Sequence, residues 1–223
     1  SLVFLANQID ILRPVIESLI SHRPFPTLSK FYNQVLTAVA DVRRLVYGCV
    51  ASRALNYPRI IALVSSTKWD IADLQSQHSQ YVDVILEEID CFAKHLEELS
   101  RCTGLQRAVT ETIWDVVIHS VFKALVQGYC ESSKRCSSEG RALMQLDLTQ
   151  LVAKIEEKVG LKPVPHTAFV ENYIKAYYLP ESSLEQWIQQ HGEYTANQII
   201  TLLNVATHVS RKARARIISA LDE

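Results

Sequence analysis

Apolar residues recur at alternating spacings of three and four along most of this chain, and that periodicity restricts its fold more than any other feature. The pattern begins at once, with Leu2, Leu5, Ile9, Leu12, Ile16 and Leu19. Residues spaced in this way share one face of an α-helix. Nowhere does the chain show the alternation of apolar and polar residues that is typical of a half-buried β-strand. The sequence therefore predicts an all-α protein.

The same spacing predicts four more long helices, over residues 28–55, 71–99, 105–129 and 141–159. Pro14 should kink the first helix, and Asn56, Tyr57 and Pro58 should end the second. Gly160 suits the left-handed position that commonly terminates a helix. Long helices joined by short connections form a bundle.

After the sequence KPVP at residues 162–165 the predicted helices become short and separately capped. Two residue pairs there match the capping box: Ser182 with Glu185, and Thr195 with Gln198. We therefore predict a long-helix bundle over residues 1–162 and a short-helix subdomain over residues 163–223. The second part should pack on the first as one continuous structural unit.

Composition excludes several other classes. Six glycines and seven prolines are few for 223 residues, whereas a turn-rich sandwich or barrel needs more. No apolar run approaches the roughly 20 residues that span a bilayer. The first 12 residues lack a basic start and a cleavage site, so we expect them to form part of a helix and not a signal peptide. Five cysteines without a CxxC pair indicate a reducing compartment.

No residue pattern points to catalysis or to a cofactor. The chain lacks a glycine-rich phosphate loop and the GxSxG, HExxH and DxDxDG motifs. Cys91 and His95, four residues apart, can supply at most half of a metal site. We expect His95 instead to be a partly buried structural histidine beside Phe92 and Leu96. The sequence thus predicts no catalytic, cofactor-binding or metal-binding residue, and a protein that is not an enzyme.

The densest aromatic region comprises Tyr173, Tyr177, Tyr178 and Trp187. Aromatic residues interleaved with basic ones can stack on single-stranded nucleic acid, but only Lys175 lies nearby. We therefore expect these rings to pack in the core.

A basic cluster lies at the start of the last predicted helix: Arg211, Lys212, Arg214 and Arg216. With Ser210 as the N-cap, these cations face the positive end of the helix dipole, which disfavours them. Residues 67–99 carry eight acidic side chains against two lysines, a local charge of −6. We expect either a solvated face or pairing with this acidic third helix. The alternative is contact with anionic lipid or with an acidic partner helix.

A Ser-rich, charged segment at residues 130–140 predicts a solvated loop. The RxxS motif at residues 135–138 is a candidate phosphorylation site.

Three segments near the end of the chain resemble a known family. They are LMQLDLTQLVAKIE at 143–156, FVENYIKAYYLPESSLEQWIQQHGEYTANQIITLLN at 169–204 and KARARIISALDE at 212–223. The most specific part is YIKAYYL, followed by a helix with Glu185 and Trp187 two residues apart and then by EYT. In these segments, about the last third of the chain, it resembles the carboxy-terminal domain of the syndetin family. No catalytic motif is part of this resemblance.

The resemblance implies a function. Syndetin distinguishes the EARP complex, which acts in endocytic recycling, from the related GARP complex of the trans-Golgi network. We therefore expect an elongated multi-helix bundle of the helical-rod type found in multisubunit tethering complexes. It would be a non-enzymatic domain that binds proteins or membrane, cytosolic and peripheral to recycling endosomes and to the trans-Golgi network.

The resemblance also implies partners. The other EARP subunits would bind mainly through regions outside these residues, whereas this domain would meet SNAREs, small GTPases, an adaptor protein or anionic membrane. The alternative is a helical nucleic-acid-binding or general scaffold domain. A net charge of −1 and a single cluster of four cations disfavour nucleic acid as a partner.

Overall fold

The fold was obtained as a computed structural model, which describes residues 2–19, 25–73, 76–132, 135–206 and 208–221. Over these residues the chain forms ten α-helices and no strand, which confirms the all-α prediction. In chain order they are α1 (Leu2–Leu19), α2 (Phe25–Ala51), α3 (Tyr57–Ser66), α4 (Gln80–Thr103), α5 (Arg107–Glu131), α6 (Ser138–Val159), α7 (Thr167–Ala176), α8 (Glu181–Gln190), α9 (Ala196–Val205) and α10 (Arg211–Leu221).

The chain divides into two compact units, Ser1–Arg53 and Ala54–Glu223. In the first unit, α1 packs against α2. Pro14 lies inside α1, which continues to Leu19, and the kink expected there stays a prediction.

The second unit is built around α5, which contacts α3, α7 and α9. Helix α3 lies closest, because α5 carries a glycine at the crossing. A Cβ on Gly128 would lie 2.6 Å from the Cβ of Val64 and 3.2 Å from the carbonyl oxygen of Ile61. The backbones approach only because that side chain is missing. The other extensive contacts in this unit join α4 to α3 and α6, α7 to α6, and α10 to α9.

The short helices α7 to α10 therefore share one compact unit with α3 to α6. The division predicted at residue 162 stays a prediction. None of the helices in the described part of the chain is both long and apolar enough to cross a bilayer.

The segment from Asn56 to Pro58 begins a helix that the sequence analysis missed. Helix α2 ends at Ala51, and α3 starts at Tyr57 with Asn56 as its N-cap. The Asn56 side chain accepts the N–H of Arg59 at 3.2 Å, and Pro58 lies in the first turn. Asparagine caps and first-turn prolines are start signals, so their interpretation as a stop was wrong.

The predicted third helix begins nine residues too early, since α4 starts at Gln80. The segment before it carries Trp69, which is fully buried. The indole N–H of Trp69 donates to the carbonyl oxygen of Val64 at 3.3 Å, and its ring meets those of Tyr81 and Tyr129 edge-on. Burial of this one ring holds an irregular segment against the core. Leu74, which the predicted helical face included, lies outside the described residues.

The predicted loop 130–140 is shorter than expected, because α5 runs to Glu131 and α6 starts at Ser138. Ser137 caps α6 by accepting the N–H of Gly140 at 3.0 Å. Its hydroxyl also lies 2.8 Å from the carbonyl oxygen of Ile71. Ser138, the serine of the RxxS motif, is exposed at the first residue of α6.

The other predicted helix ends have mixed outcomes. Gly160 terminates α6 in the left-handed conformation, with φ 75°, and the capping box of Thr195 and Gln198 is present; both predictions are confirmed. The box predicted for Ser182 and Glu185 is wrong. Helix α8 starts after Pro180 without a side-chain cap, so Ser182 already lies in its first turn.

Candidate interaction surface on the last helix

Ser210 begins α10 and joins it to α8. Its hydroxyl accepts the N–H of Ala213 at 3.2 Å, which confirms Ser210 as the N-cap. The Glu181 carboxylate accepts the Ser210 backbone N–H at 2.9 Å and its hydroxyl at 3.2 Å. These hydrogen bonds lower the pKa of Glu181. An ionised carboxylate thus lies at the start of α10, where the helix dipole favours a negative charge.

Arg216 makes the second polar link between these helices. Its Nε donates to Oε1 of Glu185 on α8 at 2.7 Å. Both side chains stay largely exposed, at 68% and 43%, so the pair adds little to stability.

Arg214 has a structural role. Its Nη2 donates to the carbonyl oxygens of Ala206, at 3.2 Å, and Val209, at 3.5 Å. Ala206 follows the last residue of α9, where helices leave carbonyl groups without partners. Arg214 therefore ties the end of α9 to α10 and is largely occupied within the fold.

Arg211 and Lys212 are exposed, and within the described part of the chain neither side chain forms a hydrogen bond or an ion pair. The structure therefore divides the predicted cluster into two pairs. Arg214 and Arg216 bind other groups of the same chain, whereas Arg211 and Lys212 face solvent.

The expected pairing of this cluster with the acidic third helix does not occur among the described residues. Acidic residues of α4 bind α3 and α6 instead: Glu88 accepts the N–H of Asn56 at 2.6 Å, and Asp90 pairs with Lys158 at 2.8 Å. The carboxylates that do meet α10 come from α8, which the local charge pattern did not indicate.

Most of the aromatic region packs as expected. Tyr173 is 1% exposed and Tyr177 8%, and the ring of Trp187 stacks on Tyr194 with centroids 5.2 Å apart. Tyr178 is the exception, because it is 53% exposed although its hydroxyl donates to a backbone carbonyl. Rings buried in this way do not offer faces for stacked bases.

Sequence analysis missed a buried arginine beside these rings. Arg141, on α6, is only 3% exposed, and its guanidinium lies 4.9 Å from the Tyr177 ring centroid. Its Nε and Nη1 have no hydrogen-bond partner, so contact with the rings takes the place of an ion pair. The only signal for its burial is its position about one turn before Met144 and two turns before Leu148 on α6.

Two of the five cysteines, Cys130 and Cys136, are poorly suited to nucleophilic chemistry. Burial raises the pKa of the Cys130 thiol to about 11, and burial also raises the pKa of Cys136. A thiol that stays protonated at neutral pH is a poor nucleophile. Cys91 and His95 lie with Sγ and Nδ1 3.8 Å apart, and both are exposed, so the expected partial burial of His95 was wrong. Among the described residues no group of three or more metal-ligating side chains forms.

A groove of about 580 Å³ separates α8 from α10 next to the basic residues. It is lined by Glu185, Ile188, Gln189, Arg216, Ile217 and Leu221. Apolar side chains thus lie beside charged ones, an arrangement suited to binding a macromolecular surface.

Comparison with known proteins extends the resemblance over the whole chain. The family described as "Syndetin, C-terminal" matches residues 1–222. The chain is 39% identical over 225 residues to Syndetin of Mus musculus and of Rattus norvegicus, and 38% identical to Syndetin of Gallus gallus. Each match covers 100% of this chain, and 23%, 23% and 24% of the respective relative. The chain therefore spans about a quarter of the length of the curated relatives it matches, and it belongs to the syndetin carboxy-terminal family.

Proposed function

We propose that this chain is a non-enzymatic interaction domain of a vesicle-tethering subunit acting in endocytic recycling. The observation that carries the proposal is the family match over residues 1–222, together with 39% identity to the mouse relative over the entire chain.

Binding is favoured over catalysis by the state of the reactive groups. The pKa of Tyr173 is raised well above its ordinary value, chiefly by burial, as is that of the Cys130 thiol. Groups that stay protonated and buried contribute to packing more readily than to proton transfer.

We place the contacts with the other EARP subunits mainly outside these residues. This domain would then contact a SNARE, a small GTPase, an adaptor protein or anionic lipid on recycling endosomes or at the trans-Golgi network. The basic cluster is the proposed contact, with Arg211 and Lys212 as its available part, because Arg214 and Arg216 are held by the fold.

Removal of the domain tests this proposal. Cells that express the subunit without the region corresponding to residues 1–223 should retain co-precipitation with the other EARP subunits but return internalised receptor to the surface more slowly. Loss of every partner subunit would contradict the proposed division of labour. Unchanged recycling would contradict the proposed role of the domain.

A further inference from the structure

Two polar links join α8 and α10 beside the groove. Ser210 binds Glu181 at the start of α10, and Arg216 binds Glu185 further along. The groove continues from Arg216 along the C-terminal half of α10, where Ile217 and Leu221 line it.

The groove has an apolar lining that protein side chains can fill. Ile188 and Leu221 are half-buried, and Ile217, which is 4% exposed, also lines the groove. Helices α8 and α10 have 10 and 11 residues, which correspond to about 15 Å of length. Two or three turns of another helix match that length.

The charge beside the groove selects the kind of helix. Lys212 and Arg216 are four residues apart and so lie on the same side of α10, the side from which Arg216 lines the groove. Lys212 forms no ion pair within the described chain, and α10 from Arg211 to Leu221 contains no acidic residue. A helix with acidic side chains beside its apolar face complements both features.

We infer that the groove between α8 and α10 binds an amphipathic, acidic helix of a partner protein, with its apolar side chains against Ile188, Ile217 and Leu221 and a carboxylate paired with Lys212. This inference rests on the proposed function and specifies its partner.

Two observations favour a protein helix over a membrane. The apolar residues line a recess, whereas a membrane-binding face must protrude into lipid. Only Arg211 and Lys212 are free within the described part of the cluster, fewer than the roughly four to eight cations of a lipid-binding patch.

The test uses the 223-residue chain with isotope-labelled methyl groups and two synthetic helical peptides. Both peptides carry the same leucine face, flanked by glutamates in one and by lysines in the other. The acidic peptide should shift the methyl resonances of Ile188, Ile217 and Leu221 and should bind on the order of tenfold more tightly than the basic peptide. Equal affinities, or shifts confined to other methyl groups, would overturn the inference.

Charge reversal supplies the matched variant. Lys212→Glu should lower the affinity for the acidic peptide by about threefold to tenfold and raise the affinity for the basic peptide. Lys68→Glu, at an exposed lysine that does not line the groove, should change neither affinity. If the two variants changed the affinities equally, net charge alone would explain the effect, and the groove would not be the binding site.

Vesicles containing about 30 mol % phosphatidylserine distinguish the membrane alternative. We expect the wild-type chain to stay unbound in a flotation assay at physiological salt. If the wild-type chain floated with the vesicles and Lys212→Glu abolished this binding, the ligand would be lipid and not a partner helix. If peptide binding fails while removal of the domain slows recycling, the inference about the groove is wrong and the proposed function stands.

Discussion

Gly140, in the first turn of α6, packs against the backbone of Trp69. A Cβ at this position would overlap the Trp69 carbonyl oxygen, so either the helix or the irregular segment must shift. We expect Gly140→Ala to lower the free energy of unfolding by about 1 to 3 kcal/mol, although alanine favours helices. Gly192→Ala is the control, because no atom lies within 4 Å of its added Cβ. Urea denaturation of both variants checks this, and equal stabilities would contradict the packing.

Asp147 is a buried carboxylate, 1% exposed, that anchors the start of α4 from α6. Its Oδ1 accepts the Ser79 N–H at 2.7 Å, while Oδ2 has no partner. Asp147→Ala removes this acceptor and should lower the free energy of unfolding by about 1 to 3 kcal/mol. Asp147→Asn keeps an acceptor for Ser79 and should stay within about 1 kcal/mol of wild type at neutral pH. Chemical denaturation of the two variants separates the hydrogen bond from the charge.

Burial raises the pKa of Asp147 above its ordinary value despite the hydrogen bond from Ser79. The folded protein therefore holds this proton more tightly than the unfolded chain does, so ionisation of the carboxyl destabilises the fold at higher pH. As pH falls through the folded pKa, the contribution of this group becomes more favourable. The Asn variant should lack that part of the pH dependence. An identical slope in wild type and Asn variant would exclude Asp147 as its source.

His119 titrates in the opposite sense. Its ring stacks on that of His166 with centroids 4.3 Å apart, and Nε2 of His166 lies 3.1 Å from Asp115. Burial, followed by the charges of Lys123 and His166, lowers the pKa of His119 below 6.5. The folded protein binds this proton more weakly than the unfolded chain, so stability is lost as pH falls below 6.5. His119→Gln should reduce the loss of stability between about pH 7 and pH 5, measured by urea denaturation.

At the scale of elements, α10 illustrates how a short helix is held by polar links and by packing on one neighbour. It contacts α9 and reaches α8 through Ser210 and Arg216. Its four cations have three different roles: ion pairing, capping of α9 and exposure to solvent. A basic cluster in a sequence is therefore not a single functional feature.

The roles of these cations predict their effects on stability. Arg216→Ala, or Glu185→Ala, should lower the melting temperature by about 1 to 4 °C, because an exposed ion pair contributes only about 0 to 1 kcal/mol. The double change of Arg211 and Lys212 to Ala should leave it unchanged, since neither side chain pairs within the described chain. Thermal melts followed by circular dichroism check both expectations. If only the double change lowered the melting temperature, the internal contact would belong to Arg211 or Lys212 and not to Arg216.

The whole molecule consists of two compact units, and the second has an extensive apolar core. That unit contains α3 to α10, with side chains such as Trp69 and Phe122 fully buried. A core of this size, in about 170 residues, is sufficient for independent folding.

We therefore predict that residues 54–223 fold without the first unit. The isolated segment should be mainly helical and should unfold in one cooperative transition, within about 5 °C of the full chain. Circular dichroism melts of both proteins provide the measurement. A non-cooperative transition would mean that the first unit completes the core.

The sequence by itself determined the fold class and several helix ends. Spacings of three and four require only that one face of a helix be apolar, so the long helices were predictable, with ends such as Glu131 and Val159 within a few residues. Gly160 and the Thr195–Gln198 box were predictable from local sequence, because each acts within a single helical turn. The resemblance over the last third also identified the family that the comparison of the whole chain shows.

Only the tertiary structure decided which elements meet. The irregular segment held by Trp69 depends on burial of its ring against Tyr81 and Tyr129, which no local pattern records. The partner of Arg216 was likewise hidden, because Glu185 lies 31 residues away and nothing in either sequence segment specifies how α8 crosses α10. Periodicity describes the surface of one helix, whereas charge pairing, capping by Arg214 and the groove beside α10 arise from the packing of several helices at once.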